Sequence, residues 1–297
     1  MMKKAWKERF MQGVFFIAAC ASVLAVALIC LFLFANGIPA MREIGLLNFL
    51  SGERWKPSNE IFGIFPMIMG SIYVTAGAIL IGVPIGIFTS IFLAKYCPKK
   101  IYPGLKGATE LLAGIPSVVY GFFGIVVLVP LVRDVSRFLK TIGLIEKASK
   151  GSSILAASIL LGMMILPTII GVTESAIRAV PSAYYEGALA LGATHERSIF
   201  AVVLPAAKSG VVAGIVLGIG RAIGETMAVI MVAGNQPRLP GSIWDGVRTM
   251  TTNIVMEMGY AEGLHRQSLI ATAVVLFVFI MMINLSVSLL NRRGGHE

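Results

Sequence analysis

Residues 218–230 read GIGRAIGETMAVI, and Arg221 and Glu225 stand four apart within them. From Ser209 to Met231 the chain carries no other charge. Side chains four apart on a helix share a face, so this guanidinium and carboxylate are able to pair. Drawn as one helix, residues 209–233 put Arg221 roughly 18 Å from the helix start, close to the middle of a bilayer. Gly210, Gly214, Gly218, Arg221 and Glu225 then fall within an arc of roughly 80°. Glycines at that spacing let another helix approach closely, so the face is expected to look into protein. A charge at mid-bilayer costs about 2.5–3.5 kcal/mol on insertion scales. One reading is a self-neutralising pair that locks helices together, although two alanines would remove the cost altogether. The other is a part in a substrate path or gate, the default for an ionisable group inside a membrane. Arginine suits oxyanions, because its planar fork donates two hydrogen bonds at once.

The elements that must position these groups are membrane helices. Of 297 residues, 57% are hydrophobic and 13% charged, against about 25% charged in a soluble domain. Five runs lack Asp, Glu, Lys and Arg entirely: 11–41, 61–94, 111–132, 151–173 and 267–291. Each can cover the roughly 20 residues that a crossing helix needs, and 209–233 makes a sixth. The second run is longer than one crossing and contains Gly63, Pro66, Gly82 and Pro84. A short interfacial piece at 61–69 is expected there, then a span at 70–94 kinked by Pro84. Pro116 is expected to shape the entry to the third span, with Ser117 capping it. The opening MMKKAWKERF precedes an apolar run longer than a signal peptide's core of about 7–15 residues and without an A-x-A site, so it reads as an uncleaved first span.

Charge and the rarer residues exclude other classes. The net charge of +10 comes from basic residues that mostly flank the spans, where they anchor at headgroups. No aromatic-basic motif points to nucleic acid. Cys20 and Cys30 lie in the first span and Cys97 at a span end, with neither a disulfide framework nor a metal spacing. The three histidines are scattered, so no metal or other cofactor is expected. No G-x-x-x-x-G-K-[ST] occurs, and no nucleophile–base set, so the chain reads as no enzyme; energy must come from a partner or an ion gradient. Lys3, Lys4, Lys7 and Arg9 before the first span, with Lys95, Lys99, Lys100 and Lys106 after the second, favour a cytoplasmic N-terminus. Six spans then return the C-terminus, with Arg292 and Arg293, to the same side. Over the whole chain the inside segments hold only slightly more Lys and Arg than the outside ones, which an anionic substrate outside would tolerate.

Between the fourth and fifth spans runs ESAIRAVPSAYYEGALALGATHERSIFAVVLPAAKSG, residues 174–210. Pro181 opens a helix at 182–191, Gly192 permits a turn, and 195–203 forms a second helix that Pro205 stops. This elbow exposes apolar and small residues, as a docking surface would; a helix lying among headgroups is the alternative.

Glu186-Gly187-Ala188, then Gly192, then Val202-Val203-Leu204-Pro205 resembles the EAA loop of ABC importer permeases. That pattern is E-A-A, three residues, G, nine residues, I-x-L-P. The spacing matches throughout, with Gly187 and Val202 as mild departures. LLAGIPSVVYGFFG (111–124) and GRAIGETMAV (220–229) are similar to phosphate importer permeases, the latter nearest to the PstC-type subunit. The likeness spans about residues 60 to 290.

The resemblance implies an all-α polytopic protein of six transmembrane helices with the type I ABC importer permease (MetI-like) fold. It places the chain in the binding-protein-dependent transport system inner-membrane component family, in the cytoplasmic (inner) membrane. Residues 1–60 would be a first span and external loop. Residues 61–297 would be a core of five spans with a cytoplasmic coupling loop at 174–208. The implied function is passage of inorganic phosphate. Two copies of a cytoplasmic ATP-binding subunit would lie beneath, a homologous second permease subunit would complete the pore, and an extracytoplasmic phosphate-binding protein would deliver substrate. By position, Glu186, Gly187, Ala188, Gly192, Leu204 and Pro205 carry over as ATPase-coupling residues, and Arg221 and Glu225 as the substrate pathway. Three alternatives stay open. One is another oxyanion, molybdate or sulfate. The second is an ion-driven secondary transporter, which has no need of the elbow motif. The third is a non-transporting scaffold, in which Arg221 would be dispensable for uptake.

Overall fold

The computed structural model describes residues 2–293, with side chains for residues 10–286. The basic side chains behind the expected orientation, Lys3, Lys4, Lys7, Arg9, Arg292 and Arg293, lie outside the described residues. The chain runs α1 (Met2–Ile44), α2 (Leu46–Ser51), a hairpin of β1 (Trp55–Lys56) and β2 (Ile61–Phe62), then α3 (Phe65–Ile91), α4 (Tyr102–Gly114), α5 (Ser117–Phe123), α6 (Val129–Thr141) and α7 (Ile154–Ala179). It continues through α8 (Ser182–Ala190), α9 (His195–Ser198), α10 (Leu204–Ala206), α11 (Lys208–Gly224), α12 (Met227–Val232), α13 (Met250–Glu257) and α14 (Gly263–Arg293). The antiparallel hairpin, Trp55 opposite Phe62, and a single parallel bridge between Gly234 and Val247 are the departures from an all-α architecture among the described residues.

Among the described residues, five helical segments are long and apolar enough to cross a bilayer: Phe10–Ile44, Phe65–Tyr96, Ser117–Thr141, Ile154–Ala179 and Gly263–Ser286. A sixth exists if His195–Ala206 and Lys208–Gly224, bent by 71°, count as one. Several boundaries differ from the sequence expectation. The boundary expected at 69/70 falls earlier: Ile61 and Phe62 form β2, and α3 starts at Phe65 with Pro66 in its first turn, where a missing N–H costs nothing. The third span starts at Ser117, because residues 102–114 form the separate helix α4. Pro116 does set the entry, with ψ 141, but no Ser117 cap bond forms. The largest difference is at residues 209–233, which form no single rod: α11 ends at Gly224 and α12 begins at Met227.

Three wide helical turns recur at 92–96, 124–128 and 199–203. Each precedes a proline. Cys97 donates to the Phe92 carbonyl before Pro98, Val129 to Gly124 before Pro130, and Leu204 to Ile199 before Pro205. A proline ring clashes with the carbonyl four residues back, and a turn widened to i→i+5 moves that carbonyl aside. For this reason Pro205 does not stop the second elbow helix where the sequence places the stop. The helical path continues to Ala206 and bends at Ala207.

At the centre lies α7, two-thirds of whose apolar window is buried (67%). Two neighbours reach it through glycines. On α3, Gly82 packs against Ile165 and Gly86 against Ile169. On α11, Gly210 packs against Ala176, Gly214 against Thr173 and Gly218 against Ile169; a Cβ added at Gly214 or Gly218 would lie 2.9 Å from its neighbour. The glycine face of 209–233 thus looks into protein, as its spacing predicts. Helix α1 leans on α14, with Gly37 against Ala271 and Phe34 edge-on to Phe277. Most of its remaining surface is open and apolar, as lipid requires.

Candidate translocation site and its anchors

Arg221 sits in the last turn of α11, half-buried. Its Nη1 lies 3.5 Å from the Thr168 hydroxyl on α7. Among the described residues no carboxylate reaches it within ion-pair distance. The i,i+4 pair with Glu225 that a continuous helix would allow does not form. Glu225 stands outside the helix, at φ −70 and ψ 129. Its Oε1 accepts from the backbone N–H of Thr226 (3.2 Å) and of Ala228 (3.1 Å). That is the work of an N-terminal cap, supplying an acceptor to donors that a helix start leaves unbonded. The Glu225 carbonyl, freed by the break, accepts from the Thr251 hydroxyl at 3.2 Å. Behind it a cavity of about 10 Å³, lined by Ser71, Thr75, Glu225 and Thr249, has room for about one water.

The other side of α11 and the start of α12 are uncovered. Leu217 and Met227 are exposed by 55% and 47%, and nothing lies within 4 Å of an added Cβ at Gly220 or Gly224. Arg221 is therefore at the seam between a packed face and an open one.

The loop that follows is pinned by a buried network. Arg248 Nη1 donates to Glu257 Oε1 at 2.6 Å and to Asn253 Oδ1 at 3.0 Å, and its Nε donates to the Asn235 carbonyl at 3.2 Å. Glu257 Oε2 accepts from Trp55 Nε1 at 2.8 Å and lies 2.9 Å from His265 Nε2. This ties the β1–β2 hairpin, α13 and the start of α14 together.

A second network closes the opposite end of α7. Glu174 accepts from the Tyr102 hydroxyl at 2.6 Å, from Lys106 Nζ at 2.9 Å and from Arg178 Nε at 2.8 Å. Its hydrogen bonds raise the pKa of both Tyr102 and Lys106, since each proton is held against a carboxylate. Beyond it lies the elbow. Gly192 takes φ +84, a left-handed turn that glycine adopts without strain. The Tyr185 hydroxyl lies 2.6 Å from His195 Nδ1 and joins the two arms. His195 also meets Tyr96 edge-on at 4.8 Å, docking the elbow on the end of the second span. Glu186, Gly187, Gly192 and Pro205 are exposed, while Ala188 and Leu204 are half-buried. Leu191 is 91% exposed, and Tyr184 and Leu189 in α8 are exposed as well.

The structure brings Arg221 and Glu225 to one break but not to each other. It places the six elbow residues in one feature some distance along the chain from them. Thr168, Glu174 and the Arg248–Glu257 pair escape sequence reasoning. Only Glu174, four residues before Arg178 at a span end, leaves a local trace of its pairing.

The model of the family described as "Binding-protein-dependent transport system inner membrane component" matches residues 82–294. The chain is 37% identical over 284 residues to the "Probable ABC transporter permease protein YqgH" of Bacillus subtilis, covering 92% of this chain and 89% of that one. It is 36% identical over 276 residues to the "Phosphate transport system permease protein PstC" of Mesorhizobium japonicum, covering 89% and 84%. Among solved structures it is similar to the MetNI methionine ABC transporter in inward-facing conformations, with TM-score 0.60, 18% identity and coverage of 81% and 99%. A bacterial ABC transporter involved in alginate import gives TM-score 0.59 at 17% identity, covering 96% and 99%. These two establish the fold, that of an ABC importer permease. Matched by the family model over most of its length and by relatives well above 30% identity, this multi-pass membrane chain belongs to the binding-protein-dependent transport system inner membrane component family.

Proposed function

We propose that this chain is one permease half of an ATP-driven importer of inorganic phosphate, with both termini in the cytoplasm. The observation that carries the reading is Arg221: a cation inside the helical bundle, beside a hydroxyl and without a carboxylate. The names of the PstC relatives point to the same substrate. An anion moving along the open face of α11 would meet a planar donor fork there. A single weakly engaged cation also suits release, since conduction demands binding that does not trap the ion. Glu225 serves the site by holding the break beside Arg221, not by neutralising it.

Two copies of an ATP-binding subunit would lie under the elbow, contacting Glu186, Gly187, Ala188 and Gly192, with Leu204 and Pro205 at its root. A homologous second permease would cover the open face at Leu217, Gly220, Gly224 and Met227. An extracytoplasmic phosphate-binding protein would deliver the substrate. Closure of the ATPase dimer would displace the elbow, and the bundle would switch between inward- and outward-open arrangements.

The test is radiolabelled phosphate uptake by the complex reconstituted in vesicles, with sulfate and molybdate as competitors. Uptake should stop when the ATPase partner carries a dead P-loop; persistence would favour an ion-driven transporter. Equal competition by molybdate or sulfate would assign another oxyanion.

A further inference from the structure

Glu174 is 1% exposed, and its donors come from two helices, α4 and its own α7. Tyr102 and Lys106 belong to α4, while Arg178 is in the last turn of α7, just before Pro181 opens the elbow. Arg178 Nη2 also donates to the Leu93 carbonyl at 2.9 Å, in the wide turn that ends the second span. Its guanidinium lies 4.4 Å from the centre of the Tyr102 ring. Glu174 thus joins α4 to the elbow end of α7, and through Arg178 to the wide turn after α3.

Among the described residues, the other side-chain hydrogen bond from outside α4 is that of the Tyr120 hydroxyl to the Leu112 carbonyl, near its far end. None of the residues of α4 is buried, and Leu111 is 76% exposed. Apolar packing therefore does little to fix it, and the bonds from Tyr102 and Lys106 to Glu174 carry that role. From α4 a line of contacts leads to the break in span five. The Tyr120 hydroxyl of α5 donates to the Leu112 carbonyl at 2.9 Å. Gly121 of α5 then abuts α12, where an added Cβ would lie 3.1 Å from Ala228 Cα. Ala228 is the residue whose N–H Glu225 caps.

We infer that Glu174 is a positioning residue of the transport cycle, latching α4 to the elbow end of α7 so that elbow displacement reaches the broken segment beside Arg221. This rests on the proposed function for its direction of action. The test of coupling is a mutant cycle on the assembled complex.

Phosphate uptake per ATP hydrolysed should fall about tenfold for Glu174→Gln, within the range of ordinary coupling energies, while ATP hydrolysis continues. Lys106→Met should lower the ratio less, Lys106→Arg should restore it, and the Glu174→Gln/Lys106→Met pair should be no worse than Glu174→Gln alone. Should Glu174→Gln fail to assemble, the Lys106 variants carry the test. Wild-type coupling in Lys106→Met, or additive losses in the pair, would overturn the latch. A spin-label pair at the exposed Leu111 and Tyr184 reads the latch without reference to substrate. Its distance should stay sharp with and without ATP in the wild type and broaden in Lys106→Met; an unchanged distribution counts against the inference. Absence of ATP-dependent phosphate uptake by the wild type would instead sink the proposed function, leaving the distance measurement to judge the latch.

Discussion

Two arginines flank the break in the fifth span, and the fold treats them oppositely. Arg248, its side chain 11% exposed, is bonded to Glu257, Asn253 and the Asn235 carbonyl. Among the described residues Arg221 has one long hydrogen bond, to Thr168 at 3.5 Å. Taking a charge out of water is tolerable when its hydrogen-bonding capacity is filled. Arg248 meets that condition from within the chain, so its work is finished when the protein folds. Arg221 does not, and its spare donors are what support the proposal that it meets an anion on the transport path.

The comparison can be broken in three ways. Arg221→Gln should abolish phosphate uptake while the complex still co-purifies intact; full uptake by this variant would leave Arg221 only a helix-locking role. Arg248→Met should behave in the reverse manner. It strands Glu257 with Trp55 and His265 and should cost about 3–5 kcal/mol of stability, seen as a lower thermal midpoint in detergent. The surviving protein should transport normally, and a transport defect at full folding would mean that the two arginines share a task. The smallest effect concerns Glu225. Glu225→Ala removes a cap at a cost of about 1 kcal/mol and should slow uptake, whereas Glu225→Gln keeps an acceptor oxygen and should stay close to wild type. If Gln proves as damaging as Ala, the charge itself is needed and Glu225 acts on the anion or on Arg221 after all.

What the sequence reveals here follows what is local. The glycine face of α11 is legible because four-residue spacing repeats within one helix, and Gly210, Gly214 and Gly218 do meet α7. The elbow is legible because Pro181 and Gly192 are punctuation with a fixed conformational meaning, and α8 ends within a residue of the expected boundary. The break at Glu225 is not. Spacing alone makes Glu225 a partner for Arg221, and the bond from Thr251 that helps hold the chain open there crosses 26 residues. Trp55 and Glu257 are 202 residues apart, so no periodicity could join them. The wide turns before Pro98, Pro130 and Pro205 lie between: each proline is visible, but nearby packing decides whether it ends a helix, as the sequence suggests, or only loosens it.

The bend at Ala207 has a mechanical meaning. Because His195–Ala206 meets Lys208–Gly224 at 71°, a thrust along the first rod arrives at the second mostly sideways. In the proposed cycle the fifth crossing would then be levered about its foot and not driven lengthwise through the lipid. A crossing that tips widens the bundle at one rim as it narrows it at the other, so a single push from below would serve both to admit cargo and to shut the door behind it.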